Sequence, residues 1–257
     1  MKKHIPNIIT LCNFLCGTLS VISLLSWKND VLAAMFIIFG GLFDFFDGLT
    51  ARALKVSSPI GKELDSLADV VTFGIAPSLI VVEHLLNLRY SFPFLHTVNS
   101  ALCYLPLFMA VMSCYRLAKF NTDTRQSSSF IGLPTPANAL IWLSIPITAK
   151  LRNGNLNLWG PNIDFIHTSL YNCFFNPYFI LVCCVVCGIL LVCELPLFSL
   201  KFKNLSWKDN KIKYIFLAIS LLLIILLNFF SIPLIIMCYI LLSIVDNLIS
   251  DKNYEEK

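Results

Sequence analysis

Eight runs of apolar residues, each long enough to cross about 30 Å of hydrocarbon, occupy the chain near positions 6–26, 31–51, 66–87, 98–118, 134–150, 178–199, 214–230 and 233–249. A backbone immersed in hydrocarbon has no water to satisfy its N–H and C=O groups, so such runs fold as helices. The expected fold is therefore all-α: a polytopic membrane helical bundle of about eight transmembrane helices. Composition agrees, since 57% of the 257 residues are hydrophobic and 13% are charged, far from the balance of a soluble domain. The first run begins after only five residues and lacks an A-x-A-like cleavage site, so it is expected to be retained rather than removed as a signal peptide.

Lysine and arginine concentrate in cytoplasmic loops. With the N-terminus inside, Lys2, Lys3, Arg52, Lys55, Lys62, Arg116, Lys119, Arg125, Lys201, Lys203, Lys208, Lys211, Lys213, Lys252 and Lys257 fall on the cytoplasmic side. Lys28, Arg89, Lys150 and Arg152 fall outside. The imbalance places both termini in the cytoplasm. Nine of the ten cysteines lie within predicted spans, where they act as small hydrophobes; Cys184 and Cys187 have CxxC spacing but no neighbouring histidine that would make them a metal pair. The interval 152–177 reads as a surface loop with interfacial Trp159, Phe165, Tyr171, Phe174 and Phe175. The loop 119–133 is polar enough to be mobile, and 200–213 is a basic connection. Residues 1–200 are expected to form the catalytic membrane domain, with 201–257 adding a basic loop and two apolar helices to the same bundle.

Four aspartates interrupt this pattern. Asp44 and Asp47, in Asp44-Phe-Phe-Asp47-Gly48-Leu-Thr-Ala51-Arg52, and Asp65 and Asp69, in Gly61-Lys-Glu-Leu-Asp65-Ser-Leu-Ala-Asp69, flank one short basic turn between two apolar segments. A central aspartate costs roughly 2.5–3.5 kcal/mol on insertion scales, so four left unpaired would oppose insertion by on the order of 10 kcal/mol. If the second span continues helically past residue 47, Asp44 and Asp47 share a face, followed on it by Gly48 and Ala51. Those small residues either leave room for a ligand or let a neighbouring helix pack closely. Ser58 as N-cap and Pro59 at the first helical position mark a restart, after which Gly61, Asp65 and Asp69 recur every fourth residue. Two carboxylates from each of two antiparallel helices suit Mg²⁺ or Mn²⁺, and a pair of such ions is a known clamp for phosphoryl displacement. At 1.5 Å per residue, Asp44 lies about 12 Å below Arg52, near the cytoplasmic boundary where a lipid phosphate and a soluble substrate meet.

The complete pattern, Asp44-x2-Asp47-Gly48-x2-Ala51-Arg52-x8-Gly61-x3-Asp65-x3-Asp69, resembles the signature of the CDP-alcohol phosphatidyltransferases at all eight fixed positions. The resemblance implies a six-helix catalytic core, often dimeric, and a metal-dependent enzyme that moves a phosphatidyl group from a CDP-activated lipid to an alcohol and releases CMP. It also implies that Asp44, Asp47 and Asp65 bind metal, and that Asp69 shares in metal binding and acts as general base. Gly48, Ala51 and Gly61 would line the nucleotide pocket, and Arg52 would neutralise phosphate.

Three further segments look like the phosphatidylserine synthase branch: Pro6-Asn7-Ile-Ile-Thr10-Leu-Cys-Asn13, Asp65-Ser66-Leu-Ala-Asp69-Val-Val-Thr72-Phe-Gly74-Ile-Ala-Pro77, and Arg116-Leu-Ala-Lys119-Phe-Asn121. Lys119 departs from the arginine common at that position and loses a bidentate fork. By this resemblance the substrates are CDP-diacylglycerol and L-serine, with membrane lipids as surroundings, a homodimer as the assembly and no nucleic-acid partner. Asn13 is expected at the nucleotide site, although it could equally bond a neighbouring helix, and Asn7 and Thr10 could merely cap the first helix. Arg116, Lys119 and Asn121 either flank the membrane or bind the serine carboxylate or lipid pyrophosphate. Pro77 is expected to kink the third span, with Glu83 and His84 near its outer end. Two alternatives stay open: a sister transferase using glycerol 3-phosphate, inositol phosphate or choline, and a divalent-cation transporter using the carboxylates as a transit site. A transporter should display polar residues along several spans or broken repeated halves, whereas the last two spans are almost wholly apolar.

Overall fold

The computed structural model describes residues 4–56, 58–88, 100–122, 130–153, 171–198, 207 and 210–255. Residues 123–129 and 154–170 of the two loops, with Arg125, Trp159 and Phe165, lie outside the described residues, as do Lys2, Lys3, Arg89, Lys201, Lys203, Lys208, Lys257 and the side chains of Lys150, Arg152 and Lys252.

The protein is a helical bundle. Its elements in chain order are α1 (His4–Leu25), α2 (Asp30–Leu54), α3 (Pro59–Asp69), a π-helical turn (Val70–Ile75), α4 (Ala76–Leu88), a 3₁₀ turn (Ser100–Tyr104), α5 (Leu107–Thr122), β1 (Phe130–Ile131), α6 (Thr135–Asn153), α7 (Pro177–Val192), β2 (Pro196–Leu197), α8 (Lys211–Leu227), a 3₁₀ turn (Asn228–Phe230) and α9 (Ser231–Glu255). The two short strands pair antiparallel, Phe130 opposite Leu197 and Ile131 opposite Pro196. They tie the segment before α6 to the segment after α7.

Among the described residues, five runs are long and apolar enough to cross a membrane by length and composition: His4–Leu25, Asp30–Leu54, Pro59–Leu88, Ala101–Thr122 and Lys211–Leu248, with Pro177–Val192 a shorter apolar helix. The last of the five is a helical hairpin. The chain reverses at Asn228, whose φ is 51°, and Phe216 and Tyr239 from its two arms approach to 5.6 Å between ring centroids. Helices occupy the described part of every interval read as a span, but neither α6 nor the 16-residue α7 is among the five runs, so length and composition do not by themselves reach a count of eight.

Local chemistry explains where the helices near the aspartates begin and end. The Asn29 side chain accepts the Leu32 N–H and opens α2. α2 then runs unbroken through Asp44, Asp47 and Arg52, and Lys55 in the left-handed region closes it, its N–H reaching the Ala51 and Arg52 carbonyls. The predicted restart is present: Ser58 Oγ accepts the Gly61 N–H at 3.0 Å, and Pro59 takes the first position of α3.

Directly after Asp69 the helix widens into the π-turn, and the Ala76 N–H bonds back to Val71. The distortion expected at Pro77 falls on this turn, immediately before the proline, because a widened turn accommodates a ring that cannot donate a backbone hydrogen bond. The turn also carries Thr72 inward, where its hydroxyl donates to the Asn13 carbonyl at 3.1 Å. α1 and α2 come close enough for this only because glycines face Thr72: a Cβ on Gly17 would stand 2.5 Å from Thr72 Oγ1, and one on Gly40 would stand 2.6 Å from Thr72 Cγ2.

Two apolar cores hold the bundle. Leu24, Ala33, Ala34, Ile37, Phe73, Ile80 and Leu143 join α1, α2, the π-turn, α4 and α6. Val81, Leu85, Met109, Trp142, Ile180 and Cys184 join α4, α5, α6 and α7. None of the ten cysteines is in a disulfide, and Cys184 and Cys187 are buried in this second core, as expected of small hydrophobes. The contact around Thr72 yields the first prediction. Gly17→Ala should destabilise the protein by about 1–3 kcal/mol, because its Cβ would also meet the Thr72 backbone at 3.0 Å. Thermal unfolding in detergent micelles measures this, and an unchanged midpoint would mean that α1 and the π-turn are not so closely packed.

Candidate metal and phosphate site

The hairpin of α2 and α3 brings three of the four aspartates together. Asp44, Asp47 and Asp65 each offer a carboxylate oxygen, and these oxygens lie within 4.8 Å of one another. Asp44 and Asp65 are in direct side-chain contact, while one Asp65 oxygen is buried without any partner. Among the described residues the ion pairs are Lys28–Glu83 and Lys119–Glu194, so no lysine or arginine pairs with the cluster. Buried charges are otherwise paired or bound to metal. Three converging hard oxygens without a protein cation fit a divalent ion, and the structure therefore supports a three-aspartate metal site.

Asp69 is not one of the three converging acids, but it lies within electrostatic reach of all of them. It is buried, and its Oδ1 accepts a hydrogen bond from Asn13 Nδ2 at 3.1 Å. The buried Arg116 on α5 lies within electrostatic reach of it. Asp47 is held from the same helix as Asn13: Thr10 Oγ1 donates to Asp47 Oδ2 at 2.6 Å. Thr10, read from sequence as a possible cap, and Asn13, expected at the nucleotide site, thus each bond one of the acids. The signal was available as the polar edge Asn7, Thr10, Asn13, spaced by three in an apolar helix, but spacing names no partner.

A cleft of about 210 Å³ opens beside the cluster. Asp47, Asp65, Gly48, Ala51 and Gly61 line it as expected, joined by Pro6, Asn7, Thr10, Val56, Ser58 and Lys62. The two readings of Gly48 can now be separated. Among the described residues a Cβ there would meet no heavy atom within 4 Å, so no described helix requires its smallness, and the room in front of it belongs to the cleft. Gly61 differs, since a Cβ would meet Asn7 Oδ1 and Ser58 Oγ, each at 3.0 Å; its hydrogen atom keeps both the cap and the cleft wall in place.

The remaining expected residues are dispersed. Arg52 is exposed at the end of α2 and does not line the cleft. Asn13 is fully buried and does not line the cleft. Lys119 extends to Glu194 at 3.0 Å. Asn121 bridges to α3, its Nδ2 donating to Ser66 Oγ at 2.9 Å while its carbonyl accepts from Lys62 Nζ at 2.7 Å. Only Arg116 of that segment reaches the neighbourhood of Asp69. At the opposite end, Glu83 pairs with Lys28 at 3.3 Å, and His84 packs edge-on against Phe175.

An all-α bundle of long apolar helices with three aspartates on an α2–α3 hairpin that could hold a metal ion is that of a polytopic membrane protein. The chain belongs to the CDP-alcohol phosphatidyltransferase family, whose pattern matches residues 3–170. It is 43% identical over 134 residues to the CDP-diacylglycerol–serine O-phosphatidyltransferase of Bacillus subtilis, covering 52% of this chain and 70% of that protein. The protein of the same name from Saccharomyces cerevisiae is 34% identical over 157 residues, and the archaetidylserine synthase of Methanothermobacter thermautotrophicus is 30% identical over 148. The matches span 53% and 58% of those two proteins.

The cluster predicts a measurable response. Adding Mg²⁺ or Mn²⁺ to chelator-stripped protein should raise its thermal midpoint, because an ion that binds only the folded state stabilises it by about 2.7 kcal/mol at a hundredfold excess over Kd. Asp65→Asn should abolish that response. An equal upward shift in the variant would place the ion elsewhere.

Proposed function

We propose that this protein transfers the phosphatidyl group of CDP-diacylglycerol to the hydroxyl of L-serine, giving phosphatidylserine and CMP. One observation carries the reading: three aspartates converge as a ligand group, and the fourth, bonded to Asn13, lies within electrostatic reach of both that group and a buried arginine. That division supplies a place for charge neutralisation next to a separate proton acceptor. The names of the relatives from Bacillus and Saccharomyces favour serine as the acceptor.

In this reading Asp44, Asp47 and Asp65 hold Mg²⁺ or Mn²⁺, with Asp69 close enough to contribute, and two ions are expected. The bound metal supplies positive charge to the oxygens of the reacting phosphates. Gly48, Ala51 and Gly61 let the nucleotide approach the backbone of α2 and α3, and Arg52 meets phosphate from the end of α2. Asp69 accepts the proton of the serine hydroxyl. The serine oxygen then bonds to the lipid-side phosphorus as the bond from that phosphorus to the CMP oxygen breaks, and CMP departs. Arg116 is the cation best placed for the serine carboxylate or the lipid pyrophosphate, whereas Lys119 and Asn121 fasten α5 to its neighbours at the mouth of the site.

The same reading takes residues 1–200 as the catalytic membrane domain and 201–257 as a hairpin added to it, crossing the bilayer eight times in total. Both termini and the site face the cytoplasm. Support comes from the way the bundle sorts its ends: Lys55, Lys62 and Lys119 gather with the aspartates, while Lys28, Glu83 and His84 lie at the other end. A homodimer is the expected assembly.

Membranes containing the protein, given CDP-diacylglycerol and labelled serine, glycerol 3-phosphate or inositol phosphate in turn, should incorporate serine. Incorporation of glycerol 3-phosphate without serine would overturn the choice of acceptor. Asp69→Asn should still insert but lose CMP release by roughly 10²–10⁴-fold; turnover at the wild-type rate would remove its role as base. Gly48→Val should leave the thermal midpoint nearly unchanged while raising KM for the CDP-lipid, since its side chain would enter the cleft rather than a helix contact.

A further inference from the structure

The metal cluster is supported from outside by α1, and one contact there fixes a ligand. Thr10 is buried in the first helix, 3% exposed. Its hydroxyl has two acceptors within reach, the Pro6 carbonyl one turn earlier at 3.1 Å and Asp47 Oδ2 on α2 at 2.6 Å. A hydroxyl carries one proton, and the distances decide where it goes. Bonding to the carbonyl four residues back is the ordinary habit of threonine in a helix, and 3.1 Å is long for O–H···O. The 2.6 Å contact falls in the range of a charge-assisted bond to a carboxylate. Thr10 therefore spends its proton on Asp47, a residue 37 positions away and on another helix.

The consequence for Asp47 is positional. An ionised carboxylate has about four lone-pair sites, so the bond from Thr10, the one that reaches Asp47 from another helix beside that from the adjacent Gly48 N–H, restrains the group and leaves sites for a ligand. Asp47 converges with Asp44 and Asp65, with which it would otherwise repel. Nothing else on α1 duplicates the contact, because Asn13, three residues on, uses its amide for Asp69. A small side chain would suffice at position 10 if it only packed against α2; the hydroxyl is what reaches the acid.

We propose that Thr10 is a positioning residue for the metal site, holding the Asp47 carboxylate in the orientation that the ion requires. This rests on the reading of Asp44, Asp47 and Asp65 as a divalent-metal site. Outer-sphere partners of metal ligands commonly contribute 10–100-fold to metal affinity.

The test is Mn²⁺ binding to chelator-stripped full-length protein in detergent micelles without nucleotide or lipid, followed by the paramagnetic resonance signal of the free ion. Thr10→Val keeps the shape and removes the hydroxyl; it should weaken Mn²⁺ binding by about tenfold or more. Thr10→Ser keeps the hydroxyl and should bind close to wild type. If Thr10→Val fails to fold, Thr10→Ala takes its place with the same expected loss. Wild-type affinity in the hydroxyl-free variant overturns the proposal, and so does a Ser variant as weak as the Val variant, which would mean that the methyl group and packing matter instead. Wild-type protein that binds no Mn²⁺ overturns the metal reading and this proposal together, whereas binding lost in Asp47→Asn but kept in Thr10→Val removes the proposal alone.

Discussion

Like-charge repulsion among carboxylates in an apolar bundle is the constraint around which the rest of the structure is arranged. Among the described residues no lysine or arginine pairs with the converging Asp44, Asp47 and Asp65, a placement that costs several kcal/mol per uncompensated charge. The fold meets the demand in two ways. It offers the three oxygens jointly to a cation, and it surrounds the acids with hydrogen-bond donors from α1. The short turn between α2 and α3, closed by Lys55 and reopened by Ser58 and Pro59, brings the two acidic faces together.

The first helix is the backing plate of the site. Thr10 and Asn13 each hold an aspartate, Gly17 admits the π-turn, and the Asn13 carbonyl accepts from Thr72 on that turn. Asp69 immediately precedes the turn, so the same widening that relieves Pro77 also sets the angle at which the fourth acid meets α1. π-turns are often found where a functional residue must leave the regular helical register. Here the irregularity, the glycines and the buried amide form one contact, and a change in any of them reaches Asp69.

Several features were legible in the residues themselves. The spacing of Asp44, Asp47 and Gly48, and of Gly61, Asp65 and Asp69, puts each set on one helical face, and the Ser58–Pro59 start is written locally. Other assignments depended on distant neighbours. Gly48 could have served packing or a ligand until its surroundings turned out to be open. Lys119 reads as a phosphate-binding cation beside Arg116, yet its partner is Glu194, 75 positions away. Asn13 looks like a nucleotide contact in a motif, yet it does not line the cleft, and its amide is on Asp69, 56 positions along the chain.

By itself the sequence determined the helical class, because long apolar runs leave the backbone no other way to satisfy its hydrogen bonds. It also determined which residues share a face, because helical periodicity depends only on near neighbours. The tertiary structure alone decided that the acids divide three and one, that Thr10 and Asn13 hold one from each group, and that Arg116 rather than Lys119 stands near Asp69. Those outcomes arise from contacts between helices far apart in the chain, where the geometry of packing and not the order of residues selects each polar partner.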